Sequence, residues 1–172
     1  MTGNKASSGL LDTLLPSEFL AEGVARVASA LADGSAPDRS PTVFTGLHGA
    51  SAALLLAAWF KRQRRTMLVV APDRESSLRF ADDLETWLGP DDVVYLPQQE
   101  VLAFDRKSPD PALVGAFLEG LDRLRNGKPC LAVTSLYGMM QRVISPARLN
   151  QAIINLGEGD RYDRDELCRN LT

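Results

Sequence analysis

Three short apolar runs, each bounded by turn residues and linked by helical patterns, constrain this chain more than any other feature. Met67-Leu68-Val69-Val70-Ala71, Val93-Val94-Tyr95-Leu96 and Cys130-Leu131-Ala132-Val133-Thr134 are continuous rather than alternating, the pattern of strands covered on both faces and hence of a parallel sheet. After the first run, Asp73 stands where it can cap a helix with an inward stripe of Leu78, Ala81, Leu84 and Leu88, stopped by Gly89-Pro90. After the second, Asp110-Pro111 supplies an N-cap followed by proline at the first helical position. Leu113, Phe117, Leu121 and Leu124 then carry that helix to Asn126-Gly127. Strands and helices alternating in this way imply βαβ units with right-handed crossovers, an α/β fold whose parallel sheet is flanked by helices. Strand order is not encoded in spacing.

The same period analysis organises the rest. Thr42-Val43-Phe44-Thr45 reads as a further strand running into Gly46, and Ala50 to Phe60 as a helix apolar nearly all round. Ser135 to Arg142 reads as helical. Residues 1–41 divide into a helix opening at Ser17, with Leu20, Val24, Val27 and Leu31 on one stripe, and a turn-rich linker from Asp33 to Pro41. The main domain is expected over 42–150. Beyond it lie the apolar run Ala152 to Leu156, a turn at Gly157-Glu158-Gly159, and a segment from Asp163 with only Leu167 and Leu171 as its stripe. So thin a face cannot bury itself alone, and 151–172 reads as the start of a second, truncated domain.

Composition narrows the function classes. Nineteen Lys and Arg against twenty-two Asp and Glu give a net charge of −3, whereas a free-standing nucleic-acid binder carries a basic excess. Cys130 and Cys168 are the only cysteines and show no metal-ligand spacing. The N-terminus lacks an apolar leader, and the longest apolar run, Ala52 to Phe60, falls far short of the ~20 residues needed to span a bilayer. A cytoplasmic protein without membrane contact is expected.

The segment that ought to carry chemistry is Phe44-Thr45-Gly46-Leu47-His48-Gly49-Ala50-Ser51-Ala52-Ala53, at an expected strand-to-helix junction. A phosphate loop there reads Gly, four residues, Gly, Lys, then Ser or Thr. Gly46 matches the first glycine, but Ser51 replaces the second, Ala52 the lysine and Ala53 the hydroxyl residue. Without an ammonium at 52 the β and γ phosphates are not neutralised, and without a hydroxyl at 53 a Mg²⁺ ion loses its protein ligand. No catalytic residue, no metal ligand and no cofactor is expected. Two alternatives stay open: an ordinary βα turn using Gly46 and Gly49 for backbone freedom, and a small-anion site at the helix N-terminus. His48, the only histidine, has no nucleophile or ligand set around it and reads as a loop residue with a structural hydrogen bond.

Lys61-Arg62-Gln63-Arg64-Arg65 has the look of a nucleic-acid patch, yet it falls at a helix C-terminus, where the macrodipole favours cations. Asp82, Asp83 and Glu85 are possible partners for it. Glu100, Asp105 and Asp110 form no defined acid–base pair, and Trp59, Trp87, Phe117 and Tyr137 read as core or contact residues.

Taken in order, Gly46 to Ala52, Leu68-Val69-Val70-Ala71-Pro72-Asp73, Ala81-Asp82-Asp83-Leu84, Glu100-Val101-Leu102, Asp105 to Pro111, and Val133-Thr134-Ser135-Leu136 through Gln141-Arg142 resemble the N-terminal region of bacterial transcription-repair coupling factors. The segment departs from that pattern at Pro97-Gln98-Gln99-Glu100 and Ala103-Phe104. The resemblance implies a helicase-like fold of the P-loop NTPase type, similar to the repair protein UvrB, with a degenerate phosphate loop. It implies a non-catalytic scaffold segment of a larger ATP-dependent DNA translocase whose ATP and Mg belong to domains downstream. UvrA, RNA polymerase and DNA are the implied partners, reached through parent domains, together with intramolecular packing on other parent domains. On that resemblance 151–172 would open a UvrA-binding domain. The competing expectation is an active nucleotide-binding domain with an unusual loop.

Overall fold

A computed structural model describes residues 43–99, 110–154, 156–159 and 161–170, together with Glu22 and Ala25. Those two are helical and exposed, inside the helix expected to open at Ser17; the rest of that helix, the linker and Glu100 to Pro109 lie outside the described residues.

The elements run α1 (Ser51–Gln63), β1 (Met67–Ala71), α2 (Arg74–Leu88), β2 (Val93–Leu96), α3 (Pro111–Arg125), β3 (Leu131–Ser135) and α4 (Leu136–Met139). The three apolar runs are all strands, and all are parallel, in the order β1-β3-β2. Met67 pairs with Leu131 on one side of β3, and Val93 with Leu131 on the other. Since successive strand residues face opposite sides, the odd-numbered Met67, Val69, Val93, Leu131 and Val133 join α1 and α2 in one core. The even-numbered Val94, Leu96, Cys130 and Ala132 join Phe117 of α3 in the other. Helices therefore lie on both faces, as the alternation of elements requires.

The caps form where the sequence places them. Asp73 accepts the Ser76 N–H at 2.7 Å and the Ser76 hydroxyl at 2.9 Å. Asp110 accepts the Ala112 N–H at 2.9 Å, with Pro111 opening α3. Those two bonds from Ser76 hold the Asp73 carboxyl below its ordinary carboxylate range, the backbone N–H contributing most.

Three expectations are corrected. Residues 43–45 form no strand and Val43 is 76% exposed, because a strand exists only when a neighbour supplies its hydrogen bonds and this segment has no such neighbour among the described residues. On α2 the inward stripe is Ser77, Ala81, Leu84 and Leu88; Leu78 points outward and Ser77 is fully buried. Ser77 can be buried because its hydroxyl donates to the Arg74 carbonyl at 2.7 Å. Leu68 and Val70 of β1 are 56% and 40% exposed, since α3 packs over β2 and, among the described residues, not over β1.

Residues 142–172 form a separate compact unit. It contains α5 (Pro146–Ala152), capped by Ser145 and burying Leu149, and α6 (Arg164–Asn170). Ala152 ends α5, Ile153 is its C-cap and Ile154 belongs to no strand, so the apolar run that begins at Ala152 opens by closing a helix.

Two stability predictions follow from this packing. A Cβ at Gly120 would lie 2.6 Å from Leu96 Cδ2 and 3.2 Å from Val94 Cγ1, so Gly120→Ala is expected to lower unfolding free energy in urea by about 1–3 kcal/mol, while Gly115→Ala, with open space around it, is neutral or stabilising. Asp73 binds its proton more weakly folded than unfolded. Its stabilising effect is therefore full above the unfolded carboxylate range and is lost as pH falls through the folded value. Thermal melts of Asp73→Ala should show a lower Tm near neutrality and a gap to the parent chain that closes at acid pH.

Candidate functional site

The glycine-rich loop and the start of α1 are the part of the molecule that sequence marks for chemistry. Gly46 and Gly49 have φ of +78° and +57°, conformations that L side chains avoid. A Cβ at either position would meet nothing within 4 Å. The glycines thus serve the backbone path and not close approach to a neighbour. The Ser51 N–H donates to the His48 carbonyl at 3.2 Å and the Leu54 N–H to the Ala50 carbonyl at 2.9 Å, so the loop closes as a turn directly into the helix. His48 is exposed; its structural hydrogen bond is made by its main-chain oxygen.

α1 opens without a side-chain cap: Ala50 holds the N-cap position, and the Ser51 hydroxyl oxygen is buried without a partner. By helix geometry the next N–H groups have no intrahelical acceptor. Ala52 is half-buried and Ala53 is fully buried in the core with Leu55, Ala57, Ala58 and Phe60. The position where a phosphate loop carries its metal-binding hydroxyl therefore faces the core. This loop presents main-chain N–H groups and one hydroxyl, and no cationic side chain, at the start of its helix.

The basic cluster is resolved differently. Arg64 ends α1 in the left-handed region, φ +46°, with its N–H on the Phe60 carbonyl at 2.8 Å. Its guanidinium lies 5.3 Å from the Phe60 ring centroid and donates to Asp92 at 2.9 Å. Asp92 sits in the turn before β2, outside the carboxylates Asp82, Asp83 and Glu85 that the sequence offers the cluster.

Sequence reasoning passed over a polar group at the C-terminal ends of β2 and β3. The Thr134 hydroxyl donates to the Leu96 carbonyl at 2.9 Å. The Ser135 hydroxyl donates to Gln98 Oε1 and accepts the Gly138 N–H at 3.0 Å. The signal available was a Thr-Ser pair closing an apolar strand. These bonds tie the strand ends and cap α4, which makes them structural. At the opposite end of the sheet a recess of about 170 Å³ is lined by Asp91, Val94, Arg123, Asn126, Lys128 and Cys130. Arg123 Nη2 is engaged there by the Pro90 and Asp91 carbonyls, both at 2.9 Å. Among the described residues no cluster of His, Cys, Asp and Glu is arranged to hold a metal, and no helix is long and apolar enough to cross a membrane.

Against known proteins, the chain is 34% identical over 134 residues to a transcription-repair-coupling factor of Myxococcus xanthus, 29% over 115 residues to one of Haemophilus influenzae and 27% over 125 residues to one of Escherichia coli. The matches cover 73%, 67% and 73% of this chain but only 11%, 10% and 11% of those proteins. No family model matches the chain. No solved structure matches it either.

The two thiols should be chemically distinct. Cys130 is 3% exposed, and burial pushes its thiol up against the opposing pull of Arg123; Cys168 is exposed. The thiolate is the reactive form, so Ellman's reagent is expected to modify Cys168 promptly and Cys130 only at the rate of unfolding. Two equally fast thiols in the native chain would contradict that burial.

Proposed function

As a member of the transcription-repair-coupling factor family over 67–73% of its length, this chain, we propose, is a non-catalytic α/β segment of such a factor acting in transcription-coupled nucleotide excision repair. The chain spans about a tenth of the length of these relatives, and the activity of a whole factor is attributed to other parts of the parent protein. In this reading the segment has a helicase-like, UvrB-like frame of the P-loop NTPase type whose loop has lost its chemistry. It acts as a scaffold that carries the adjoining UvrA-binding region and packs against other parent domains. ATP and Mg²⁺ serve the parent's DNA translocation, by which stalled RNA polymerase is displaced; UvrA is the repair partner recruited.

The observation that carries the reading is the pair Ala52 and Ala53. A cation is needed at the first to hold a triphosphate and a hydroxyl at the second to hold Mg²⁺; the first side chain is a methyl group and the second is packed in the core. A parallel sheet with helices on both faces and glycines at the entry to α1 agrees with a helicase-like frame without requiring one.

A second reading has one observation in its favour. The uncapped start of α1 and the partnerless Ser51 hydroxyl suit a small anion received by main-chain N–H groups.

Calorimetric titration separates these. With ATP and Mg²⁺ the chain is expected to give no binding isotherm and to release no phosphate, and micromolar binding would overturn the scaffold reading. Ala52→Lys with Ala53→Thr should also fail to bind and should lower Tm, because the added methyl and hydroxyl at 53 enter a filled core; recovery of affinity would point to an intact nucleotide cradle. Saturable heat with inorganic phosphate alone, lost in Ser51→Ala, would favour the anion reading.

A further inference from the structure

The recess of about 170 Å³ at the N-terminal end of the sheet is lined by two cations that no carboxylate pairs with among the described residues. Val94 and Cys130, both buried, form its inner wall, and Asp91, Arg123, Asn126 and Lys128 complete it. Arg123 is half-buried. Its Nη2 spends both hydrogens on main-chain carbonyls, those of Pro90 and Asp91, which orient the guanidinium without cancelling its charge. Its Nε and Nη1 make no hydrogen bond among the described residues. The nearby carboxylates are committed elsewhere, Asp92 to Arg64 and Asp122 to Arg125. Asp91 offers Arg123 its main-chain oxygen and, among the described residues, pairs its carboxylate with neither cation. Burial pushes the Cys130 thiol up, and Arg123 and Lys128 both act against that rise, so both positive charges bear on the inner wall of the recess.

We propose that this recess binds a small organic carboxylate, its anionic end received between Arg123 and Lys128 and its hydrocarbon body laid against Val94 and Cys130. A guanidinium held on one nitrogen and free on the others presents N–H groups that suit the two oxygens of a carboxylate. An ammonium beside it adds a second charge-assisted bond. The inner wall selects the body of the ligand: Val94 offers no hydrogen bond and a buried thiol only a weak one, so a free phosphate would lose hydration on that side without replacement. Size sets an upper bound, since a cavity of ~150 Å³ accepts a benzene ring; a single ring or a short branched chain fits here and a nucleotide does not. The recess and the loop at Gly46 to Ser51 lie at different ends of the domain, and binding at one is independent of binding at the other.

Amide NMR of the 172-residue chain, titrated with sodium benzoate at constant ionic strength, tests this. The amides of Asn126, Gly127, Lys128 and Cys130 are expected to shift saturably in the millimolar range. Benzyl alcohol, the ring without the charge, and inorganic phosphate, the charge without the ring, should each leave those amides without a saturable shift. Lys128→Met alters an exposed side chain, so it should keep the parent circular dichroism and weaken benzoate several-fold. Arg123→Lys keeps the charge but loses the planar fork and should weaken it as well; Lys128→Met decides the outcome if Arg123→Lys disturbs the turn at 89–92. The absence of a saturable shift at these amides would overturn the proposal, as would benzoate affinity unchanged in Lys128→Met. Phosphate binding as tightly as benzoate would overturn the choice of ligand, and saturable shifts confined to Gly46 to Ser51 would assign the anion to the loop before α1.

Discussion

β3 is the constraint on which the rest of the domain depends. Among the described residues it is the only strand with a hydrogen-bonded neighbour on each side, and all five of its residues are buried. Leu131 and Val133 enter the core under α1 and α2, while Ala132 faces α3. Full burial of a Leu or Val side chain contributes roughly 1.5–3 kcal/mol; here both clusters draw on the same five-residue segment. Loosening β3 would therefore loosen both faces together. Its end is managed as carefully as its middle: Thr134 and Ser135 are the only polar residues in it, and each uses its hydroxyl at once, on Leu96 and on Gln98 and Gly138.

The start of α1 shows how packing and chemistry exclude each other at one position. Ala53, Ala57 and Ala58 are fully buried in the core where α1 packs against α2, and Phe60 is fully buried with them. A metal-binding hydroxyl at 53 would need to face a ligand, and in this arrangement it faces the core. The loop before it keeps the two positive-φ glycines that the chain path needs. The loop keeps a backbone turn and carries neither a cation at 52 nor an accessible hydroxyl at 53. The departure at Ala52 and the burial of Ala53 are thus two aspects of one local structure.

How much of this could be read in advance follows from what each signal physically reports. Continuous apolar runs at 67–71, 93–96 and 130–134 mark the three strands in the sequence, but not how they are covered: Leu68 and Val70 of β1 are exposed, whereas every residue of β3 is buried. Caps are local, so Asp73 and Asp110 were legible to the residue. Strand order is a long-range property with no local correlate, and β1-β3-β2 had to be seen. Thr42 to Thr45 has strand composition, but composition supplies no hydrogen-bond partner. On α2 hydropathy favoured Leu78 over Ser77; the backbone carbonyl of Arg74, which makes a buried serine tolerable, is invisible to a periodicity argument. The absent lysine at the loop was plain in the sequence, whereas the inward direction of Ala53 depended on how α1 packs.

The arginines illustrate why a run of cations is a weak guide to a ligand. Arg64 reaches from the end of α1 to Asp92, and Arg123 reaches from α3 to the carbonyls of Pro90 and Asp91. One comes from each face of the sheet, and both hold the same turn. That turn delivers the Asp92 carbonyl to the Leu131 N–H at 2.8 Å, the first rung between β2 and β3. An exposed ion pair alone contributes little, of order 0.2–1 kcal/mol. Its effect here is positional, because sliding β2 by one residue would turn Val93 and Tyr95 out of one core and Val94 and Leu96 out of the other. Arg64, from the run that resembles a nucleic-acid patch in the sequence, and Arg123, from α3, are thus braces that keep β2 in register with β3.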